Sequence, residues 1–122
     1  MRPLKNEKGF TLIEVLLGIS IFAVGLMAIA AMQISAIKVN SSANYLTERT
    51  TYAQDKLEEL TALSYTDANL ASGTTHTDTS NPDFTITWTV IDDNPVTNSK
   101  YITITSSARG KSTQLISIKS KM

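Results

Sequence analysis

Hydrophobic and polar positions divide the chain into three regimes. From Val15 to Ile37 no charged residue occurs, and a helix drawn through this run is apolar all round. From Leu46 to Leu60 the pattern becomes one-sided: Leu46, Ala53, Leu57 and Leu60 fall at i, i+7, i+11 and i+14, close to one helical face. Glu48, Arg49, Asp55, Lys56, Glu58 and Glu59 mostly take the other faces. From Phe84 the period drops to two, with Phe84, Ile86, Trp88 and Val90 alternating with Thr85, Thr87 and Thr89, as in a half-buried strand.

These patterns predict the elements. No proline lies between Pro3 and Pro82 and helix formers dominate to Leu63, so one helix is expected from Phe10 to Leu63. Its first half can cross a bilayer, since about 20 apolar residues at about 1.5 Å each cover the hydrocarbon core. The change near Lys38-Val39-Asn40-Ser41-Ser42 marks where it leaves the membrane. Ser64 to Asp83, rich in Ser, Thr, Asp, Asn and Gly, reads as a mobile surface loop with little to bury. After the Phe84–Val90 strand, Asp92-Asp93-Asn94-Pro95 and Asn98-Ser99 supply a turn. A second strand is expected over Lys100–Ser107, a tight hairpin at Arg109-Gly110-Lys111 and a third strand over Ser112–Lys119. A small sheet with one apolar face must be covered, and the Leu46–Leu60 stripe is the available cover. The expected class is α+β: a long N-terminal helix, membrane-spanning over 10–37 and amphipathic over 38–63, packed on a three-stranded antiparallel sheet within 64–122.

Charge sets the orientation. Arg2, Lys5 and Lys8 precede the apolar run, while only Lys38 and then Arg49 follow it closely, which places the N-terminus in the cytoplasm and the remainder outside. A secretory signal fits less well, because its cleavage site lies behind the apolar region. Glu14 lies just inside the run. A charge at the centre of a membrane helix costs roughly 2.5–3.5 kcal/mol. Glu14 is therefore either a hydrated carboxylate at the membrane edge or a group satisfied by another chain.

The run Lys8-Gly9-Phe10-Thr11-Leu12-Ile13-Glu14-Val15, behind a short basic leader and ahead of an apolar helix, resembles the N-terminus of the type IV pilin and pseudopilin superfamily. The resemblance covers about the first 30 residues. It implies that a membrane prepilin peptidase removes residues 1–9 by cutting after Gly9 and then methylates the new amine of Phe10. Glycine suits such a site, since it leaves the backbone extended and unhindered. It also implies that Glu14 pairs with the N-terminal amine of a neighbouring subunit during filament assembly. The protein would sit in the inner membrane first, then in a periplasmic or cell-surface filament held by helix packing between pilin subunits. Gly18, Gly25 and Ala36 form a strip on similar faces that would allow close helix approach, or they simply reflect membrane-helix composition. Many major pilins carry a proline near the position of Ala31, and this chain does not. Gly25–Gln33 together with Ala53–Leu60 looks most like the V-type minor pilins and the I-type minor pseudopilins. The implied function is a minor pilin acting in pilus assembly or at the tip. Its alternatives are a minor pseudopilin of a type II secretion system and, in another class, a bitopic membrane protein with an external binding domain.

Composition narrows the chemistry. The 122 residues hold 11 basic and 11 acidic side chains; losing Arg2, Lys5, Lys8 and Glu7 leaves 8 and 10, a formal −2. No basic stripe marks a nucleic-acid partner. There is no cysteine, so the roughly 85 residues beyond the membrane run must be held by packing or by neighbouring chains, near the lower limit for an independent core. Catalysis finds no support. His76 is alone in a polar loop and reads as solvated. Glu58 and Glu59 diverge by about 100° on a helix. Asp92-Asp93-Asn94 offers hard oxygens that suit Ca²⁺, with a solvated acidic turn as the simpler reading. No cofactor, metal or small-molecule substrate is expected, and Trp88 reads as core.

Overall fold

Helix α1 (Leu12–Ala62) is followed by a 3₁₀ turn (Ala68–Leu70) and by strands β1 (Thr75–Asp78), β2 (Thr85–Asp92), β3 (Ser99–Ala108) and β4 (Lys111–Ser120). The computed structural model describes residues 9–121. Two compact units divide the chain after Asn40, and α1 contributes to both. In the first, every helical residue is exposed. In the second, the outer part of α1 packs on the sheet.

The sheet is a meander in the order β1-β2-β3-β4 with every pair antiparallel. Register puts His76 beside Trp88, Trp88 beside Ile104 and Ile104 beside Leu115, so these share the face turned to the helix. Ala53 and Leu60 of α1, Leu70 of the 3₁₀ turn, and Ile86, Trp88, Val90, Ile102 and Ile104 form the buried core. Tyr52 lies against Phe84 with ring centroids 4.7 Å apart. The end of α1 carries no basic residue in its last turn, and Lys119 of β4 donates to the Thr61 carbonyl instead.

Turn chemistry fixes the connections. Between β3 and β4 only Arg109 and Gly110 intervene, with φ of 51° and 73°, the signs of a type I′ hairpin. Glycine reaches that region freely, whereas Arg109 needs support; its guanidinium lies 4.2 Å from the Tyr45 ring centroid. Between β2 and β3, Asp93 accepts the Asn98 N–H at 2.8 Å and both residues have positive φ.

Four features differ from the sequence expectations. The sheet has four strands, not three, because Thr75–Asp78 pairs with β2. Ser64–Asp83 is also not a loop without buried groups: Leu70 is completely buried, and the Asn69 carbonyl accepts the Trp88 indole N–H at 2.9 Å. His76 is not a solvated loop residue but lies on β1, half-buried and stacked on Trp88 with centroids 5.2 Å apart. Finally, Leu46 is 50% exposed, whereas Arg49 is 5% exposed and Lys56 half-buried. At that level Arg109 lies on the Tyr45 ring and Thr113 of β4 accepts from Arg49; Ala53, Leu57 and Leu60 pack on the core as expected, and Arg49 and Lys56 join them in place of Leu46. Long cationic side chains serve there because their aliphatic stems cover apolar surface while their heads find polar partners.

Charge is partitioned across the sheet in an unusual way. Register places Asp78, Asp92, Lys100, Lys111 and Lys119 on the helix-facing side. The opposite side carries threonine rows, Thr75–Thr89–Thr103 and Thr77–Thr87–Thr105, with Ile91, Tyr101, Ile116 and Ile118, and none of its strand residues is charged. Lys100 is buried, donates to Asp92 and to the Leu70 carbonyl, and lies 4.7 Å from the Tyr65 ring centroid. Bonds from Lys100 and Ser72 hold the Asp92 carboxyl below its ordinary value. Lys56 pairs with Glu59 at 2.9 Å and Asp78 at 3.0 Å, with its ammonium 4.8 Å from the Trp88 centroid. Burial pulls Lys56 down, but the two carboxylates outweigh it and leave it above the usual lysine value. Asp78 is driven well below the ordinary range, first by the Ser80 hydroxyl and N–H and then by Lys56.

Leu60→Ala is expected to cost about 2–5 kcal/mol, since it opens a cavity in a completely buried site. Denaturant unfolding of the full chain in detergent micelles, followed by Trp88 fluorescence, measures it. Asp78 binds fewer protons folded than unfolded, so its contribution is complete above the ordinary value of 3.8 and declines as the pH falls through and below it. Wild-type Tm should therefore fall on acidification from about pH 5 to pH 2, and Asp78→Asn should flatten that fall. Thermal melts across this range provide the check.

Candidate processing and assembly segment

The N-terminal segment is organised by one threonine. The Thr11 hydroxyl accepts the Glu14 N–H at 3.3 Å, and the Thr11 carbonyl accepts the Glu14 and Val15 N–H groups at 3.1 and 3.2 Å. Thr11 is thus the N-cap of α1, in the Thr-x-x-Glu spacing of a capping box. The helix accordingly starts at Leu12 rather than Phe10. The sequence carried this signal in Thr11 and Glu14, and hydrophobic periodicity alone passed over it.

The cap leaves Gly9 and Phe10 outside the helix. Both are exposed, Phe10 to 84%, and a Cβ built on Gly9 would meet nothing within 4 Å. The bond between them is non-helical, and among the described residues nothing crowds it at Gly9. Arg2, Lys5 and Lys8, the expected leader charges, lie outside the described residues.

Glu14 is exposed in the first turn, where a negative charge favours the helix dipole. Among the described residues no cation forms an ion pair with it. The helix that follows is long and apolar enough to cross a membrane, and none of its most apolar window is buried within the chain. Large side chains including Leu12, Ile13, Phe22, Met27 and Ile37 stand exposed. The Ser20 hydroxyl donates to the Leu16 carbonyl at 2.8 Å, so this polar group is satisfied within the helix as an apolar surrounding demands. A Cβ on Gly18 or Gly25 would meet nothing within 4 Å, so no packing inside the chain requires either glycine.

The other candidate groups are occupied elsewhere. The Asp92 and Asp93 carboxylates serve Lys100 and the Asn98 N–H. Among the described residues no group of three or more His, Asp or Glu side chains is placed to hold a metal ion. The His76 Nε2 lies 3.2 Å from the Thr74 hydroxyl and 3.3 Å from the Ala71 carbonyl. Arg49, grouped by the sequence pattern with the outward-facing residues, is instead buried, and its Nε donates to the Thr113 hydroxyl at 3.3 Å.

Residues 4–30 match the family model described as the prokaryotic N-terminal methylation motif. That motif is the signature of the prepilin-type segment of type IV pilins and pseudopilins, and it supports a precursor of that kind. It implies processing by a prepilin peptidase and assembly with other pilin subunits. No curated protein and no solved structure matches the chain.

Thr11→Ala is expected to loosen the start of the helix by about 1 kcal/mol, the usual loss of an N-cap. Faster amide exchange confined to the first turns of α1, in the full chain in micelles, would show it.

Proposed function

We propose that this chain is the precursor of a minor type IV pilin, a non-catalytic filament subunit acting in pilus assembly or at the tip. The observation that carries the reading is the exposed, non-helical Gly9–Phe10 pair, set directly before a capped helix whose apolar first part is exposed throughout, within the methylation motif. A peptidase cuts after Gly9, and the amine of Phe10 is methylated. The helix then exchanges lipid contact for contact with other helices. That exchange suits a segment without partners inside its own chain, and Gly18 and Gly25 allow close approach there.

In this reading Glu14 fixes the stagger of neighbouring subunits by pairing with a neighbour's N-terminal amine. A carboxylate held near low-dielectric surroundings is stabilised by a cation and costly without one. The absence of a proline near Ala31 favours a minor subunit over the main structural one. A minor pseudopilin of a type II secretion system would use the same segment in the same way.

The test is the intact mass and N-terminal sequence of the full chain, produced with and without a prepilin peptidase. The expected product is peptidase-dependent, begins at Phe10 and carries one added methyl group. An uncut chain beginning at Met1, beside a control prepilin that is cut, would overturn the proposal in favour of a bitopic membrane protein. Glu14→Ala is expected to be cut normally and to be lost from sheared filaments. Recovery of the variant at the wild-type level would remove the register role.

A further inference from the structure

We propose that the cleft beside the β3–β4 hairpin holds the headgroup of an ethanolamine phospholipid while the chain is anchored in the membrane. The inference rests on the membrane-anchored precursor of the reading above and adds a lipid ligand to its outer unit. The cleft measures about 260 Å³ and is lined by Tyr45 and Glu48 of α1, Asp83 and Phe84 ahead of β2, and Ala108 and Arg109 at the hairpin. Phe84 and Ala108 are buried, whereas Glu48, Asp83 and Arg109 are exposed, so an apolar base carries a charged rim.

The charges of that rim are not spent on one another. Among the described residues Glu48, Asp83 and Arg109 form no ion pair, although all of them line the same cleft. The Arg109 guanidinium lies 4.2 Å from the Tyr45 ring centroid, a contact that positions the cation and occupies no carboxylate. Arg109 holds this place at φ 51°, where Asn or Gly is the ordinary choice for a type I′ turn. The turn itself therefore does not call for an arginine.

The lining selects the ligand. A lone cation would meet Arg109, and a lone anion would meet Glu48 and Asp83. A molecule with a primary ammonium and a phosphate a few bonds apart satisfies both sides. Its phosphate accepts from the guanidinium, and its ammonium has three N–H donors for the carboxylates. A quaternary ammonium has no such donors, so a choline headgroup fits less well. The source follows from the chain's own path. Eight residues of α1 separate Ile37, the end of the uncharged run, from Tyr45, and that is about 12 Å of helical rise. Headgroups fill about 5–8 Å on each side of the hydrocarbon core, so membrane lipids are the zwitterions that the anchor holds nearest to this cleft.

The test is native mass spectrometry of the full chain released from nanodiscs that mix phosphatidylethanolamine, phosphatidylcholine and phosphatidylglycerol. Wild type is compared with Arg109→Asn and with Glu48→Gln combined with Asp83→Asn. Asparagine suits the turn and the other two positions are exposed, so thermal melts should match wild type; should one variant melt early, the other decides. Wild type is expected to keep a phosphatidylethanolamine in preference to the other two lipids. Each variant should lose about tenfold of that preference, the scale of one charge-assisted bond. Equal retention of the three lipids by wild type would overturn the proposal, as would wild-type preference in both variants. A preference for phosphatidylglycerol would overturn the pairing of an ammonium with Glu48 and Asp83. Soluble phosphoethanolamine binding the full chain in micelles as tightly as the lipid does would overturn the membrane as the source. Wild type that does not enter nanodiscs would instead remove the membrane-anchored reading, and the two failures are told apart.

Discussion

Trp88 is in contact with the helix, the 3₁₀ turn and both neighbouring strands at once. Its ring takes the Lys56 ammonium from the helix and the stacked His76 ring from β1. Its N–H reaches the Asn69 carbonyl in the 3₁₀ turn, and Ile104 lies beside it on β3. A small sheet with no disulfide must bury one face against something, and this residue brings helix, turn and first strand to that face. Lys56 and Lys100 follow from the same constraint. Each covers apolar surface with its stem and then finds a carboxylate for its head.

The two units therefore solve opposite problems. The outer one satisfies its apolar side chains internally, with Ala53, Leu60 and Leu70 wholly enclosed. The inner one satisfies only its backbone and the Ser20 hydroxyl, and leaves its apolar side chains outward. A helix of that kind is stable only where lipid or other helices take the place of water. The methylation motif at its start is the chemical counterpart of that physical condition.

Much of this was legible in local pattern. The alternation from Phe84 located β2, the Arg109-Gly110 pair located the hairpin, and the uncharged run from Val15 to Ile37 located the exposed apolar segment. Thr75–Asp78 was not legible, because Thr-His-Thr-Asp has no apolar alternation. It becomes a strand by pairing with β2 and by stacking His76 on Trp88. Leu70 was passed over for a related reason, since one leucine in a polar stretch gives no period. Ala53, Leu57 and Leu60 were legible as the covering stripe, whereas the burial of Arg49 and Lys56 beside them was not, because a charged side chain adds nothing to an apolar period.

The sequence by itself determined whatever rests on neighbours along the chain: helix and strand periodicity, the Thr11 cap with Glu14 in the first turn, the type I′ hairpin and the methylation motif. Only the tertiary structure decided which side chains are enclosed and what each then touches. It turned Leu46 outward and Arg49 inward, gave Lys119 to the helix end, and tied the Arg49 Nε to the Thr113 hydroxyl of β4. The reason is physical. Periodicity defines which residues share a face, but the position of the covering sheet, set by contacts far apart in sequence, decides how much of that face is buried.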